Sequence, residues 1–168
     1  MRVSLAVVAA LSIVATGLLA SCASGPKAPK EAKLKSEVIA GGDINPNRRD
    51  APQPVKFHVF YLKQDEAFLG ATFNELVDPD SPPIAEDLIR RTEGLIGPGE
   101  MTLLDSKFDK QTMFIGVVSE FTRIDQASWR GIVAVPQSGW KDMLNPFSGQ
   151  KLQITIERLQ VNAAIVKD

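Results

Sequence analysis

The feature that most constrains the fold is a series of short segments in which apolar and polar side chains alternate. In Val55–Leu62, with the sequence VKFHVFYL, Phe57 and Val59 fall on one face of an extended strand, and Lys56 and His58 fall on the other. Several other segments are rich in β-branched or aromatic residues: 112–121 and 152–159 most clearly, then 34–40, 100–105, 131–135 and 161–166. Short strands at this spacing predict a mainly β chain folded as a two-sheet sandwich.

One interval, residues 68–93, has a helical pattern and predicts a small helical insertion between strands. Thr72 and Glu75 stand three residues apart, as in a capping box at the start of a helix. The following PPIAEDLIRR places proline where a first helical turn accepts it. An apolar stripe is predicted to pack this region against the sandwich, and it comprises Phe73, Leu76, Ile84, Leu88 and Leu95.

Residues 1–21 have the layout of a bacterial secretory signal. Arg2 precedes a run from residue 3 to residue 20 that lacks charged side chains, and small residues end the run. The run is near the length that spans a bilayer, so an uncleaved anchor is the alternative. The stretch LASC resembles the bacterial lipobox, in which the cysteine is acylated and becomes the new N-terminus. Cys22, the chain's one cysteine, is therefore the predicted lipidation site, and no disulfide is expected.

Cleavage before Cys22 leaves 147 residues, which fit one domain. Residues 22–33 carry prolines, lysines and small side chains, which predict a flexible tether ahead of a β-sandwich domain at 34–168. After cleavage 18 basic residues face 20 acidic ones, a balance that argues against nucleic acid as a partner. Bacterial lipoproteins kept at the inner membrane commonly have aspartate after the cysteine. Ala23 stands there instead, which favours the periplasmic face of the outer membrane.

The sequence contains no recognisable set of catalytic or metal-binding residues. A zinc site needs three or four nitrogen or sulfur ligands, whereas this chain has one histidine, His58, and a cysteine expected to carry lipid. The strand pattern places His58 on a polar face, as a solvated surface residue. Nucleophile elbows, zinc-protease motifs and phosphate loops are also absent, and the adjacent Asp65 and Glu66 are expected to be solvated. We therefore expect no enzyme activity, no metal and no cofactor.

The loop at residues 41–54 is the leading candidate for a binding element, because loops of this length in compact domains are often functional. Its side chains are expected to contribute little to the core, and a simple connecting role is the alternative. Arg48 and Arg49 could pair with acidic groups of a partner. The predicted partner-binding residues are Gly41, Gly42, Asp43, Ile44, Asn45, Pro46, Asn47, Arg48, Arg49 and Asp50.

A second loop, at 136–149, mixes apolar side chains into a loop composition. Trp140, Met143 and Phe147 either pack a short helix onto the domain or form a second docking patch. Trp129, in the stretch SWRG, is expected to be structural, since its large apolar ring is best placed in a core.

The order of these segments resembles the TssJ family, the outer-membrane lipoproteins of bacterial type VI secretion systems, over most of the mature chain. The resemblance lies in five stretches: the Asn45-Pro46 pair; PQPVKFHVFYL, through Pro52, Pro54, Val55 and Leu62; AFLGATFNEL, through Phe68, Phe73 and Leu76; the turn Pro98-Gly99; and FIGVVSEFTRIDQASWR, through Gly116, Val117, Phe121, Trp129 and Arg130. The chain departs from the family pattern at Ala51, His58 and Thr122, where arginines are common, although Arg123 follows directly.

The resemblance implies a transthyretin-like β-sandwich with a small helical addition and no catalytic role. It implies that the lipoprotein holds the trans-envelope complex to the outer membrane by binding the periplasmic C-terminal region of the inner-membrane protein TssM. In that family the loop between the first two strands contributes to this binding, and here it corresponds to residues 41–54. The residues alone leave two alternatives open: a lipid-anchored module that binds a small ligand or glycan, and an envelope hydrolase.

Overall fold

The structure, a computed structural model, describes residues 31–78, 84–105, 107–136 and 149–168. These residues form ten strands and two short α-helices. The strands are β1 Glu31–Lys33, β2 Lys35–Ala40, β3 Val55–Leu62, β4 Leu88–Ile96, β5 Met101–Leu104, β6 Lys107–Asp109, β7 Phe114–Ser119, β8 Arg130–Ala134, β9 Gln150–Glu157 and β10 Gln160–Lys167. The helices are α1 Glu66–Gly70 and α2 Phe73–Val77, and a 3-10 helix covers Ile124–Gln126.

Two four-stranded sheets face each other, as the sequence predicted. The first has the strand order β10-β9-β2-β5, with β2 parallel to β9 and the other pairs antiparallel. The second has the order β4-β3-β7-β8 and is antiparallel throughout. β1 pairs with β6 in a separate two-stranded ribbon. The mainly β, transthyretin-like sandwich is therefore confirmed.

The core lies between the sheets, where alternate residues of each strand meet. Val38, Val59, Val117 and Ile154 are fully buried there. Burying an aliphatic side chain of this size contributes roughly 1.5–3 kcal/mol relative to exposure, so this layer supplies much of the folding free energy. A second cluster covers the other face of β3, where Phe60 and its neighbours pack under the two helices.

The prediction of a helical insertion at residues 68–93 is confirmed for its first part and wrong for its last part. Thr72 caps α2, and Glu75 reaches back to the Thr72 amide, which completes the predicted capping box. The expected helix through residue 93 is absent: Leu88–Ile96 is strand β4, with Leu95 exposed at its edge. β4 pairs with β3 along the whole length of that strand. A helix there would have left the main-chain groups of β3 unpaired on one side, so tertiary pairing outweighs local helical pattern.

The other predicted strands are confirmed to within about two residues at each end. The last three residues of the expected tether, Glu31–Lys33, form strand β1 rather than free chain. The predicted signal, Cys22 and the rest of the tether lie outside the described residues. Within 31–78, 84–105, 107–136 and 149–168, none of the helices has the length and apolar character needed to cross a membrane.

The strand directions separate two ends of the sandwich. β2 enters beside the β1–β6 ribbon and leaves at Ala40 into the 41–54 loop, and β3 returns from that loop. We call the end with residues 41–54 the loop end, and the opposite one the N-terminal end. Six to eight strand residues at about 3.3 Å each separate them by roughly 20–26 Å.

Candidate functional site

Asn45 fixes the base of the 41–54 loop. Its side chain is 3% exposed, and its Nδ2 donates to the Pro54 carbonyl at 2.8 Å. Its Oδ1 accepts from the Thr122 amide at 2.7 Å, and its own amide donates to the Arg158 carbonyl at 2.7 Å. One buried residue, through its side chain and its main-chain amide, therefore joins the two arms of the loop to two neighbouring connections. Asn45 holds φ +46, a left-handed conformation that asparagine tolerates better than most residues.

The expectation that this loop contributes little to the core is wrong for three of its residues. Ile44 is fully buried within the inter-sheet cluster, and Asn45 and Pro46 are also buried. The sequence showed the length of the loop but not that its first half turns inward. That fold-back is needed because the open ends of the two sheets leave apolar side chains that something must cover.

The tip of the loop is a compact turn. Asn47 Oδ1 accepts from the amides of Arg49 at 2.8 Å and Ala51 at 3.2 Å, and the Asn47 amide donates to the Ala51 carbonyl at 2.9 Å. An asparagine side chain that bonds to amides further along the chain is a common way to close a turn. The turn leaves Arg48 and Arg49 at the apex, where both are exposed.

An ion-pair cluster ties this turn to the rest of the loop end. Arg158 donates through one nitrogen to both carboxylate oxygens of Asp50, at 2.7 and 2.8 Å, and its other terminal nitrogen lies 3.8 Å from Asp43. Arg123 lies 3.5 Å from Asp50. The hydrogen bond from Arg158 lowers the pKa of the Asp50 carboxyl below its ordinary value. These groups are substantially exposed, so the cluster positions the turn more than it stabilises the fold.

Arg48 and Arg49 lie at the apex of the turn and are exposed. Within the described part of the chain, neither side chain has an ion pair or hydrogen bond to another residue. Arg48 lines an open depression of about 420 Å³ together with Thr122, Arg123, Asp125 and Gln126. Asp43 and Asp50 are paired with Arg158, so the two apex arginines carry unpaired positive charge, and Asp125 is the acidic side chain in the depression.

The connection between β7 and β8 forms the other wall of this depression. Arg123 is held by its Nε, which donates to Gln126 Oε1 at 3.1 Å across the 3-10 helix. Trp129 packs against both hydrophobic clusters and meets the Phe73 ring edge-on at 5.3 Å. Arg130 donates to the carbonyls of Phe68 and Ala71, at 2.8 and 3.0 Å. The structural role expected for Trp129 is therefore confirmed.

The prediction that His58 is solvated is wrong, because its side chain is fully buried. β3 is an inner strand, and both of its faces are covered, so strand alternation here separates two cores rather than a core from water. Arg91 lies 3.0 Å from His58 Nδ1, and Glu120 Oε1 lies 2.6 Å from Nε2. Because arginine can only donate, Nδ1 accepts and Nε2 carries the proton towards Glu120. Burial lowers the pKa of His58, which favours this neutral form.

Across the described residues there is no group of three or more histidine, cysteine, aspartate or glutamate side chains arranged to hold a metal ion. Asp65 occupies the N-cap position of α1, and Glu66 is in its first turn. The predicted second docking patch, with Trp140, Met143 and Phe147, lies outside the described residues. The loop end has an open depression and two exposed arginines at its apex.

Comparison with known proteins identifies the relatives of this chain. A family model described as type VI secretion lipoprotein, VasD, EvfM and TssJ, matches residues 32–159. The structure of the type VI secretion lipoprotein TssJ1 from Pseudomonas aeruginosa is similar, with a TM-score of 0.70 and 24% identity over 83% of this chain and 98% of that one. Lip from Serratia marcescens, a membrane-bound component of the type VI secretion system, has a TM-score of 0.67 and 21% identity over 83% and 98% of the two chains.

A third similar chain comes from a structure described as the TssM C-terminal domain (869–1107) from EAEC. It has a TM-score of 0.62 and 22% identity over 80% of this chain and 98% of that one. At these identities the solved structures establish the fold. No curated protein matches the chain.

Proposed function

Because the chain belongs to the type VI secretion lipoprotein family that includes TssJ, we propose that it is a non-catalytic anchor of the secretion complex at the outer membrane. In this proposal Cys22 carries the acyl chains that hold the protein in the periplasmic face of the membrane. The 41–54 loop binds the periplasmic C-terminal region of TssM. The similarity to a chain in a structure described as the TssM C-terminal domain supports that choice of partner.

The observation that carries the proposal is the contrast within the loop. Its base is built into the core through Ile44 and Asn45, and its apex presents Arg48 and Arg49 without partners in the described residues. A rigid base lowers the conformational entropy lost when a partner binds. Arginine also pairs with carboxylates in a fixed, two-pronged geometry. The loop is therefore preorganised to receive an acidic surface of TssM.

The topology supports the same arrangement. The predicted tether joins the domain at Glu31, at the N-terminal end, whereas the 41–54 loop lies at the opposite end. An anchor at Cys22 would keep the N-terminal end towards the bilayer. The loop would then face the periplasm, where the TssM region is located.

Charge reversal at the apex tests the loop. The double variant Arg48→Glu and Arg49→Glu should weaken binding to a purified TssM periplasmic fragment at least tenfold, or about 1.4 kcal/mol. Its melting temperature should stay within a few degrees of the wild type, because both side chains are exposed. The matched control is Lys110→Glu with Lys167→Glu, an equal charge change on exposed residues of the N-terminal end.

Isothermal titration calorimetry of wild type, apex variant and control separates the outcomes. The control should bind like the wild type, since its changes lie far from the loop. Equal affinities for all three proteins would exclude the arginine apex as the contact. Equal losses in the apex variant and the control would show that only net charge matters.

A further inference from the structure

The lateral edges of the sandwich are protected to different degrees. At one edge β8 and β10 of opposite sheets come together through main-chain contacts next to β8. The Ser128 amide donates to the Leu159 carbonyl at 2.9 Å, and the Val161 amide donates to the Ser128 carbonyl at 3.0 Å. A Cβ placed on Gly131 would lie 3.2 Å from the Val161 oxygen, which shows how closely the two backbones approach. This edge is closed to a further strand.

The other lateral edge is formed by β4 and β5. β4 carries charged side chains along its length, including Arg90, Arg91 and Glu93, and its pairing is interrupted by a bulge at Tyr61/Leu62. Charge and bulges are the usual means by which natural edge strands avoid pairing with another chain. β5, with the sequence MTLL, contains neither a charged side chain nor a bulge.

Two apolar side chains of β5 stand in solvent. Met101 is 61% exposed and Leu103 is 73% exposed. Both lie on the outer face of the first sheet, where their register partners on β2 are Ile39 and Glu37. Isolated exposed apolar residues are ordinary. Two at alternate positions of one edge strand form a short apolar rim.

The same two residues direct their main-chain groups outward. The Ala40 amide donates to the Glu100 carbonyl at 2.9 Å, next to the first β5 pair, Ile39 with Met101. In an antiparallel pair the residues that bond to the partner alternate, so Thr102 and Leu104 follow Glu100 in pointing towards β2. Met101 and Leu103 therefore point their N–H and C=O groups to the open edge. Exposed apolar side chains and outward main-chain groups coincide on the same residues.

We propose that the edge of β5, residues 101–104, is a docking site that adds an extended segment of a different polypeptide as a fifth strand of the first sheet. Main-chain groups at strand spacing are satisfied by another strand, which fixes the occupant as an extended peptide. Its residues beside Met101 and Leu103 would be aliphatic. This site is separate from the 41–54 loop and does not depend on the function proposed for that loop.

The charged residues around β5 indicate which side chains should stand at the two ends of the docked segment. Glu100 precedes the strand and Asp105 follows it, and there is no lysine or arginine from 97 to 105. Asp105 pairs with Arg90 at 3.1 Å, but its carboxylate remains 59% exposed and can accept a second cation. Two copies of this chain would bring the Glu100 and Asp105 residues of both edges together, with the already paired Arg90 as a nearby cation. A segment with basic residues on both sides of its aliphatic core complements the edge.

The test uses the full-length lipoprotein in detergent and synthetic peptides as probes. The first peptide is acetyl-Lys-Val-Thr-Val-Thr-Val-Lys-amide carrying a fluorophore, and the second replaces both lysines by glutamate. A third keeps the lysines but is N-methylated on its three valines, which removes the hydrogen-bond donors from the peptide edge that would place valine beside Met101 and Leu103. The variant Leu103→Pro removes one outward N–H of β5 at an edge position, where proline is tolerated.

Fluorescence anisotropy should show binding of the lysine peptide to the wild type, at least tenfold weaker binding to Leu103→Pro, and at least tenfold weaker binding of the other two peptides. Hydrogen exchange should show protection of 101–104 only with the lysine peptide. If Leu103→Pro does not fold, the second variant is Leu103→Lys, which retains every main-chain group of β5. Its added positive charge should weaken binding of the lysine peptide by repulsion. Equal binding by wild type and variants, or no binding of the lysine peptide, would overturn the proposal. So would a wild-type dimer that either variant dissociates, because the occupant would then be a second copy.

Discussion

Replacing Asn45 by alanine should destabilise the protein strongly, although Asn45 is a polar residue of a surface loop. The substitution removes the donor to the Pro54 carbonyl and the acceptor of the Thr122 amide, both of which lie at a part-buried site. It also places alanine at φ +46, where the Cβ is crowded by the following carbonyl. The loss is therefore structural, although the residue belongs to a predicted binding loop.

The expected magnitude follows from these contacts. Leaving one buried partner unsatisfied costs about 1–3 kcal/mol, and two partners are affected, while the left-handed backbone adds about 1 kcal/mol. Because the site is close to solvent and water can reach part of it, we expect about 3 kcal/mol in total. For a domain of this size that corresponds to a fall in melting temperature of roughly 6–12 °C.

Urea and thermal unfolding of wild type and variant measure this difference. Asn45→Gly is the matched control, since glycine accepts φ +46 without strain and loses the same hydrogen bonds, so it should recover about 1 kcal/mol. Asn47→Ala, which loses bonds only within the exposed turn, should cost less than about 1 kcal/mol. Stability of Asn45→Ala within about 1 kcal/mol of the wild type would refute the view that the loop base belongs to the core.

Three further predictions follow from particular residues. The pKa of His58 is lowered by burial, so its contribution to stability is complete above the unfolded value of about 6.5 and is lost as the pH falls through the folded value. Urea midpoints from pH 7.5 to 5 should therefore drop more for the wild type than for His58→Gln, and parallel curves would contradict the assignment. Gly116→Ala would place a Cβ 2.5 Å from Phe68 Cζ and should cost about 1–3 kcal/mol in thermal melts. Mass spectrometry of the membrane-extracted wild type should show a lipidated Cys22, and Cys22→Ser should abolish this acylation. An unmodified thiol in the wild type would contradict the prediction.

The strands could be predicted from the sequence because their signal is local. In β9 the buried side chains recur with period two, because one face of the strand faces the core. The capping box at Thr72 was predictable for the same reason, since its hydrogen bonds form within four residues. Structural features that depend only on residues close together in the sequence could therefore be predicted.

β4 and His58 could not be predicted because their environments are set by distant segments. The sequence of β4 has moderate helical character, and only pairing with β3 makes it a strand. The strand alternation correctly places His58 on the second face of β3, but that face is covered by α2 and by Arg91. Arg91 donates to the Val77 carbonyl at 2.8 Å. A histidine beside Phe60 in an apolar strand was the available signal that both faces are buried.

The position of the candidate site could be predicted from the sequence, but which of its residues are buried and which are exposed could not. Loop length and composition identified residues 41–54, and the arginines at 48 and 49 were visible as charge. The burial of Ile44 and Asn45 could not be predicted, because it depends on distant parts of the chain. The hydrogen-bond partners of Asn45 include residues about 75 to 115 positions away. The Asp50–Arg158 pair spans a similar distance. Hence replacing residues 45–50 as a block would confuse loss of the fold with loss of binding.

The β1–β6 ribbon changes how far the domain can lie from its proposed anchor. With β1 paired, the chain that separates the membrane from the domain ends at Glu31 rather than at Lys33. From Cys22 to Glu31, an extended chain reaches about 30 Å at most. The sandwich adds roughly 20–26 Å between its N-terminal end and the loop end. An anchored protein could therefore present Arg48 and Arg49 up to about 55 Å from the bilayer surface, with the rigid sandwich supplying nearly half of that distance.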